Sequence, residues 1–260
     1  MILAIDVGNT NIVLGCLEGI SPLFVERLST VKTKTELEYA VDLKTVLDIY
    51  GIDLRKIEGS IISSVVPQIT ESLQMAVEKI IPGKRVLTLG PGIKTGINII
   101  MDQPSSVGAD LVAAAVAGME YYPVPLALID MGTATTVTVV DQDKRYIGGM
   151  IYPGVQISLN ALVSGASQLS SISLDAPKRV IGKNTIECMK SGVLFSNAAA
   201  IDGILDRMEE ELGMKLSAVA TGGLAKRIIP LCRRNIVLDE ELVLKGLALI
   251  FQKNVLPEKE

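Results

Sequence analysis

The sequence predicts an α/β protein made of two copies of one domain, each a mixed sheet covered by helices. Three observations carry that prediction. Strand-like and helix-like segments alternate through both halves, which is the pattern of sheets flanked by helices. One hairpin-shaped segment occurs twice, first as Ala4-Ile5-Asp6-Val7-Gly8-Asn9-Thr10-Asn11-Ile12-Val13 and again as Leu128-Ile129-Asp130-Met131-Gly132-Thr133-Ala134-Thr135-Thr136-Val137. Finally, 260 residues with 48% hydrophobic content suffice for a large core in one or two packed domains.

In each copy of the repeat an apolar strand ends in Asp, a turn with Gly and Thr follows, and a second β-branched strand leaves the turn. The two aspartates lie nearly half the chain apart, as a duplication requires. In the first half, strands are expected near 2–7, 11–17 and 22–29 as a meander, then a helix over 34–49, a strand over 59–64 and a helix over 67–81. The Ala-rich run Ala113-Ala114-Ala115 favours a helix within 104–118 that bridges the halves. The second half repeats the order with strands near 125–130, 135–141 and 145–151, helices over 155–164 and 184–213, a strand at 217–220 and a closing helix over 239–251. The boundary falls near 121, giving domains 1–121 and 122–260.

Composition removes several classes of function. The net charge is −4 and no basic run occurs, so neither nucleic acid nor anionic lipid is an expected partner. Cys16, Cys188 and Cys232 are widely spaced and lack any CxxC arrangement, which disfavours a disulfide framework or a zinc site and fits a reduced, cytoplasmic setting. The opening Met1-Ile2-Leu3-Ala4-Ile5-Asp6 reads as a strand, with no basic segment before it. No window approaches the roughly 18–20 uninterrupted apolar residues of a membrane span. Histidine is absent from the chain, so Ser-His and Cys-His nucleophiles and His-based zinc sites are excluded. A general base must be a carboxylate, Lys, Tyr or Cys.

The turn Gly8-Asn9-Thr10 would direct backbone N–H groups and a hydroxyl outward as an anion-binding concavity. Taken singly, such a turn is also ordinary hairpin chemistry. Two of them, each with an acid at the same strand end, are what a cleft between duplicated domains would use to grip a nucleotide polyphosphate and its metal. A third element, Ala220-Thr221-Gly222-Gly223-Leu224, runs from a strand through a Gly-Gly turn into a helix start, where a ring or sugar can lie on bare backbone. The same pattern serves as a plain connector.

Two phosphate-type hairpins followed by a strand-Gly-Gly turn resemble the actin and hexokinase superfamily, and within it the type III pantothenate kinases. The resemblance spans nearly the whole chain. It includes Asp6 through Asn11, Arg27-Leu28-Ser29-Thr30, Ser63-Ser64-Val65-Val66-Pro67 and Gly90-Pro91-Gly92-Ile93-Lys94-Thr95-Gly96. It continues through Gly108-Ala109-Asp110, Asp130 through Thr136, Gly148 through Gly154, Gly182-Lys183-Asn184-Thr185 and Thr221 through Ala225. It implies duplicated actin-like ATPase (ribonuclease H-like) domains with a nucleotide cleft between them, and transfer of the ATP γ-phosphoryl group to pantothenate, the first step towards coenzyme A.

By the same resemblance, Asp6 organises Mg²⁺, and Asp6, Val7, Gly8, Asn9, Thr10, Asn11, Ile12 and Val13 form the first phosphate motif. Asp110 matches a general base, Asp130 the site of a monovalent cation (K⁺ or NH₄⁺), Thr133 a nucleotide-phosphate contact, and Gly222 and Gly223 the adenosine turn. Met101, Gly108, Ala109, Asp110, Leu111 and Thr185 match substrate contacts, Thr185 reaching the site from the partner subunit of a homodimer. Carboxylates around a polyphosphate require intervening cations, and a carboxylate base suits a chain without histidine. An Asp ahead of an apolar helix such as 111–116 also fits an N-cap.

The chain departs from the family at Leu111, where members commonly carry Arg, and at Met101, where they commonly carry Tyr. Loss of the guanidinium removes a bidentate donor for the pantothenate carboxylate. A kinase for another hydroxylated acceptor and a non-catalytic regulatory relative are therefore the alternatives. The small residues Ser191, Gly192, Ser196 and Ala198 to Ala200 permit close approach of a partner helix, and a homodimer is expected.

Overall fold

The computed structural model describes residues 1–255. The chain folds into two compact units, one of residues 1–98, 102–120 and the C-terminal segment from 241, the other of 99–101 and 121–240.

The first unit opens with three antiparallel strands, β1 (Ile2–Val7), β2 (Asn11–Glu18) and β3 (Ser21–Ser29). Helix α1 (Glu36–Ile49) follows, started by a capping box in which the Thr35 hydroxyl accepts from the Glu38 N–H and the Glu38 carboxylate accepts from the Thr35 N–H. Strand β4 (Gly59–Ser64) pairs parallel with β1, helix α2 (Pro67–Ile80) begins with Pro at N1, and β5 (Arg85–Thr88) pairs parallel with β4. The sheet order is β3-β2-β1-β4-β5. Leu3, Ile5, Val7 and Ile62 pack on one side with Leu43 and Leu47 of α1 and Leu73 and Val77 of α2. Burial of such side chains contributes about 1.5–3 kcal/mol each.

The segment between the halves forms β6 (Asn98–Ile99), a short 3₁₀ turn and helix α3 (Ala109–Tyr121). The second unit continues with β7 (Leu126–Met131), β8 (Ala134–Val140), β9 (Arg145–Pro153), α4 (Val155–Gly165), α5 (Thr185–Leu212), β10 (Ser217–Thr221), the single turn α6 (Ala225–Ile228) and β11 (Val237–Leu238). Its sheet order is β11-β10-β7-β8-β9-β6. From β9 to β11 this repeats the first sheet: an antiparallel meander, then two strands parallel to its first member. The duplication read from the sequence is thus a duplication of topology.

Helix α5 is capped by Asn184, whose side chain accepts from the Glu187 N–H at 2.9 Å, and ends at Gly213 in the left-handed region, φ 68°. Near its C-terminal end, Glu209 is buried and accepts from Arg234 in bidentate fashion, from Lys215 at 2.7 Å and from the Leu216 N–H at 3.0 Å. Arg234 is the main reason its carboxyl is held down at about 2.

The units are not two contiguous halves. A single cut near 121 assigns the closing helix to the second domain, whereas the observed helix α7 (Leu242–Val255) packs in the first unit. The helix packs on β1, β2 and β4 of the first sheet, where Leu244 Cδ1 would lie 2.9 Å from a Cβ on Gly15 and Phe251 Cζ 2.5 Å from one on Gly59; it also meets α3, since a Cβ on Gly246 would lie 1.9 Å from the Ala113 carbonyl oxygen. Helix α3 likewise lies in the first unit up to Glu120. Among the described residues no helix is long and apolar enough to cross a membrane.

Candidate active site

In the first unit the β1–β2 turn is Gly8-Asn9-Thr10-Asn11, closed by a hydrogen bond of 2.9 Å from the Gly8 N–H to the Asn11 carbonyl. Val7 and Ile12 form the last register pair, with Asp6 opposite Val13. Thr30, just past β3, fixes the turn from the side: its N–H donates to the Thr10 carbonyl at 3.0 Å and its hydroxyl to the Gly8 carbonyl at 2.7 Å. The turn is held in one shape while Asn9, Thr10 and Asn11 remain exposed. A preformed turn with outward polar groups suits an anion such as a phosphate.

Asp6 is half-buried near the end of β1, and its register partner across the parallel pair is Ser63 of β4. Beyond β4, the Val65 N–H donates to the Val7 carbonyl at 3.0 Å. Gly108 lies against Val65, since a Cβ built on it would be 3.7 Å from Val65 Cγ1. The start of α3 is therefore placed at the ends of β1 and β4, beside the turn that follows Asp6. The sequence-predicted residues Asp6, Gly8 to Asn11 and Gly108 to Leu111 share this end of the first sheet.

Asp110 is the second residue of α3, and the Val112 N–H bonds the Gly108 carbonyl at 3.1 Å. Gly108 thus occupies the capping position, and Asp110 sits inside the first turn rather than serving as the N-cap. Its carboxylate folds back over Gly108, where a Cβ would meet Oδ1 at 2.4 Å. Burial pushes the Asp110 carboxyl up, while the Leu111 N–H, donating at 2.8 Å, draws it back. A carboxylate with raised proton affinity is a better proton acceptor than an ordinary aspartate.

In the second unit the β7–β8 turn is one residue shorter than its counterpart: Asp130 pairs with Thr136 and Met131 with Thr135. Gly132 and Thr133 are exposed. Gly222 has φ 96°, and a Cβ on it would lie 2.6 Å from both Asp130 Oδ1 and the Met131 backbone N. The Gly222-Gly223 turn accordingly lies directly on Asp130, a place closed to any other residue. Thr221 is the register partner of Asp130 on β10, and the buried Thr136 hydroxyl on its other side has no hydrogen-bond partner. Asp130, Thr133, Gly222 and Gly223 are thus brought together, and the oxygen-rich surroundings of Asp130 fit a hard cation.

Met101 lies after β6, with its Sδ 3.5 Å from a Cβ position on Gly148 of β9. Thr185 is exposed at the first position of α5 and lines a groove of ≈ 530 Å³ between α4 and α5, together with Leu162, Cys188, Gly192 and Ser196. Among the described residues no three Asp, Glu, Cys or His side chains are grouped so as to hold a metal ion by themselves. In the sequence, Thr30 and Ser63 stand out only as members of the matching segments Arg27–Thr30 and Ser63–Pro67. Their roles depend on partners 22 and 57 positions away in the chain, Gly8 and Asp6 respectively, and no local pattern marks them.

A family model described as type III pantothenate kinase matches residues 2–207. A type III pantothenate kinase of Halalkalibacterium halodurans is 44% identical over 98% of this chain and 100% of its own length. One from an Exiguobacterium species is 43% identical over 98% of this chain and 99% of its own. Among solved structures, a Baf family transcriptional activator from Campylobacter jejuni superposes with TM-score 0.61 at 18% identity, covering 97% of this chain and 98% of that one. A ROK hexokinase from Thermus thermophilus gives TM-score 0.51 at 14% identity, covering 96% and 97%. At such identities these two speak for the fold alone, a duplicated actin-like α/β architecture. The match of the family model and the near full-length identity to the named kinases agree with the two turns, the Gly-Gly contact and the buried Asp110: the chain belongs to the type III pantothenate kinase family.

Proposed function

We propose that this protein transfers the γ-phosphoryl group of ATP to the primary hydroxyl of pantothenate, the first step of coenzyme A biosynthesis, with Asp110 as general base. The observation that supports it most directly is the partly desolvated Asp110 carboxylate, with raised proton affinity, at the strand ends that also present Asp6 and the Gly8 turn.

Phosphoryl transfer depends mainly on positioning and charge neutralisation. Gly8, Asn9, Thr10 and Asn11 hold phosphate oxygens through the turn that Thr30 fixes, and Thr133 of the second turn contributes a hydroxyl. Gly222 and Gly223 offer bare backbone to the adenosine. Asp6 holds Mg²⁺ and Asp130 a monovalent cation, K⁺ or NH₄⁺. When bound, these ions offset the charge of the polyphosphate. Asp110 accepts the proton of the attacking hydroxyl as the new oxygen–phosphorus bond forms and the bond to the ADP oxygen breaks. The resemblance assigns Met101, Gly108, Ala109 and Leu111 to acceptor recognition, together with Thr185 of a partner subunit.

Leu111 and Met101 favour one further reading, a relative of pantothenate without its carboxylate as acceptor. A single assay separates the two: ATP consumption with Mg²⁺ and K⁺, comparing pantothenate, pantetheine and simple sugars, with Asp110→Asn as control. Pantothenate-dependent turnover that falls by about 10²–10⁴-fold in the variant is expected. Turnover with pantetheine alone would move the assignment to the carboxylate-free acceptor, and no turnover with any acceptor would overturn the kinase reading.

A further inference from the structure

The face of the first sheet to which each residue of β1 and β4 belongs follows from the core. Leu3, Ile5, Val7 and Ile62 pack against α1 and α2. Asp6 and Ser63, one position out of phase with them and in register with each other, therefore project together from the opposite face, on strands about 4.8 Å apart. Ser63 is fully buried, yet its hydroxyl has no hydrogen-bond partner.

Its neighbours in sequence show how unusual that is. The equally buried Ser60 donates to the Leu3 carbonyl at 2.8 Å, and the Ser64 and Thr70 hydroxyls bond each other at 2.8 Å. A buried hydroxyl left without a partner costs stability that alanine would not. The second unit repeats the placement, with Thr221 on the strand beside Asp130 and in register with it. Both copies thus put a hydroxyl residue next to the hairpin aspartate.

We propose that Ser63 is a positioning residue of the Mg²⁺–polyphosphate site: its hydroxyl oxygen accepts a hydrogen bond from a water in the hydration shell of the Mg²⁺ that Asp6 holds. The inference rests on the reading of Asp6 given above. Mg²⁺ keeps several of its waters when bound through one or two carboxylates and phosphates. A water on the metal has only its protons to offer, and the Ser63 oxygen is an acceptor without a competing donor. Ligand outer-shell contacts of this kind fix the metal more than they bind it.

The test compares wild type with Ser63→Ala, Ser63→Thr and Asp6→Asn in two readouts. One is the Mg²⁺ concentration giving half-maximal turnover; the other, independent of turnover, is the shift in melting temperature on adding Mg²⁺ with a non-hydrolysable ATP analogue. Ser63→Ala is expected to raise the half-saturating Mg²⁺ by about tenfold and to shrink the ligand-induced shift. Without ligand it should melt no lower than wild type. Ser63→Thr, which keeps the hydroxyl, should recover most of the Mg²⁺ response. An unchanged Mg²⁺ response in Ser63→Ala, with a weakened one in Asp6→Asn, overturns the role of Ser63 while leaving Asp6 in place. A ligand-free Ser63→Ala that melts lower than wild type also overturns it, because the hydroxyl would then have an internal partner. An unchanged response in Asp6→Asn removes the reading of Asp6 and this inference with it.

Discussion

Asp110 holds its charge where charge is disfavoured. Its carboxyl is raised chiefly by burial, and the Leu111 N–H offsets only part of that. The sign of the linkage follows. A folded-state pKa above the unfolded one means that the folded protein binds this proton more tightly, so the group stabilises the fold at low pH. That stability is lost as pH rises through the folded value. Asp110→Asn should therefore melt above wild type near neutral pH, with the gain fading as pH falls towards about 4, the unperturbed range of aspartate. In the wild type, kcat/KM should decline on the acid side with an apparent pKa raised above that of an ordinary aspartate, since only the ionised form accepts a proton. Calorimetry and a pH–rate profile check both. A variant less stable than wild type at neutral pH would make Asp110 a helix-start stabiliser instead, the reading that a carboxylate in the first turn otherwise invites. Asp110 was singled out through the family resemblance, which Gly108-Ala109-Asp110 carries as one of its matching segments. Ser63 was not, because a serine inside an apolar strand carries no periodic signal and gains meaning only through its register with Asp6.

At the scale of elements, long periodic segments were read to within a few residues. Helix α2 was expected over 67–81 and spans Pro67–Ile80, and β4 was expected and observed over 59–64. The short strands β5, β6 and β11 went unseen, since two to four residues cannot display alternation and their partners alone make them strands. Helix α7 was recognised, but not its destination, which is set by packing on β1, β2 and β4, contacts invisible in one dimension. Its last turn also acts on a motif 160 positions earlier: the Asn254 side chain accepts from the Lys94 N–H at 3.0 Å and donates to the Lys94 carbonyl at 2.9 Å. Both backbone groups of Lys94 are thus clasped, and the Gly90–Gly96 loop is fastened to α7. Asn254→Ala should accelerate amide exchange across residues 93–97 by about tenfold, a loss near 1.4 kcal/mol in local stability. Because the contact is at the surface, the melting temperature should fall by no more than about 3 °C. Asn254→Asp, which keeps the acceptor but not the donor, should restore part of the protection. Exchange that stays at the wild-type rate in Asn254→Ala would mean that the loop is held by other contacts.

For the whole molecule, the duplication explains why so much of the fold could be read: one solution, an antiparallel meander followed by parallel strands, is written twice. The surface of the second unit follows no such rule. Ile151, Ile157, Leu162, Ile181 and Ile186 are all exposed, from 42% to 81%. Along α5 the exposed positions Thr185, Cys188, Gly192, Ser196 and Ala199 recur at intervals of three and four, a single stripe of small side chains. The sequence suggested a run of small residues on this helix, but Ser191 and Ala198 turn out to face the core, so the stripe is narrower than the run. Such a stripe lets a second helix approach closely, and Thr185 at its start belongs to the proposed acceptor site. If a second copy covers this face, wild type should sediment at twice the 27.7 kDa of the chain. Ser196→Arg places a long charged side chain in the groove without disturbing the core, because Ser196 is exposed. The variant should sediment as a monomer, keep its helical signal and its shift with the ATP analogue, and yet lose acceptor-dependent turnover. These outcomes separate nucleotide binding within one chain from an acceptor site that takes Thr185 of the partner subunit. A monomeric variant that still phosphorylates its acceptor at the wild-type rate would show instead that each chain completes its own site.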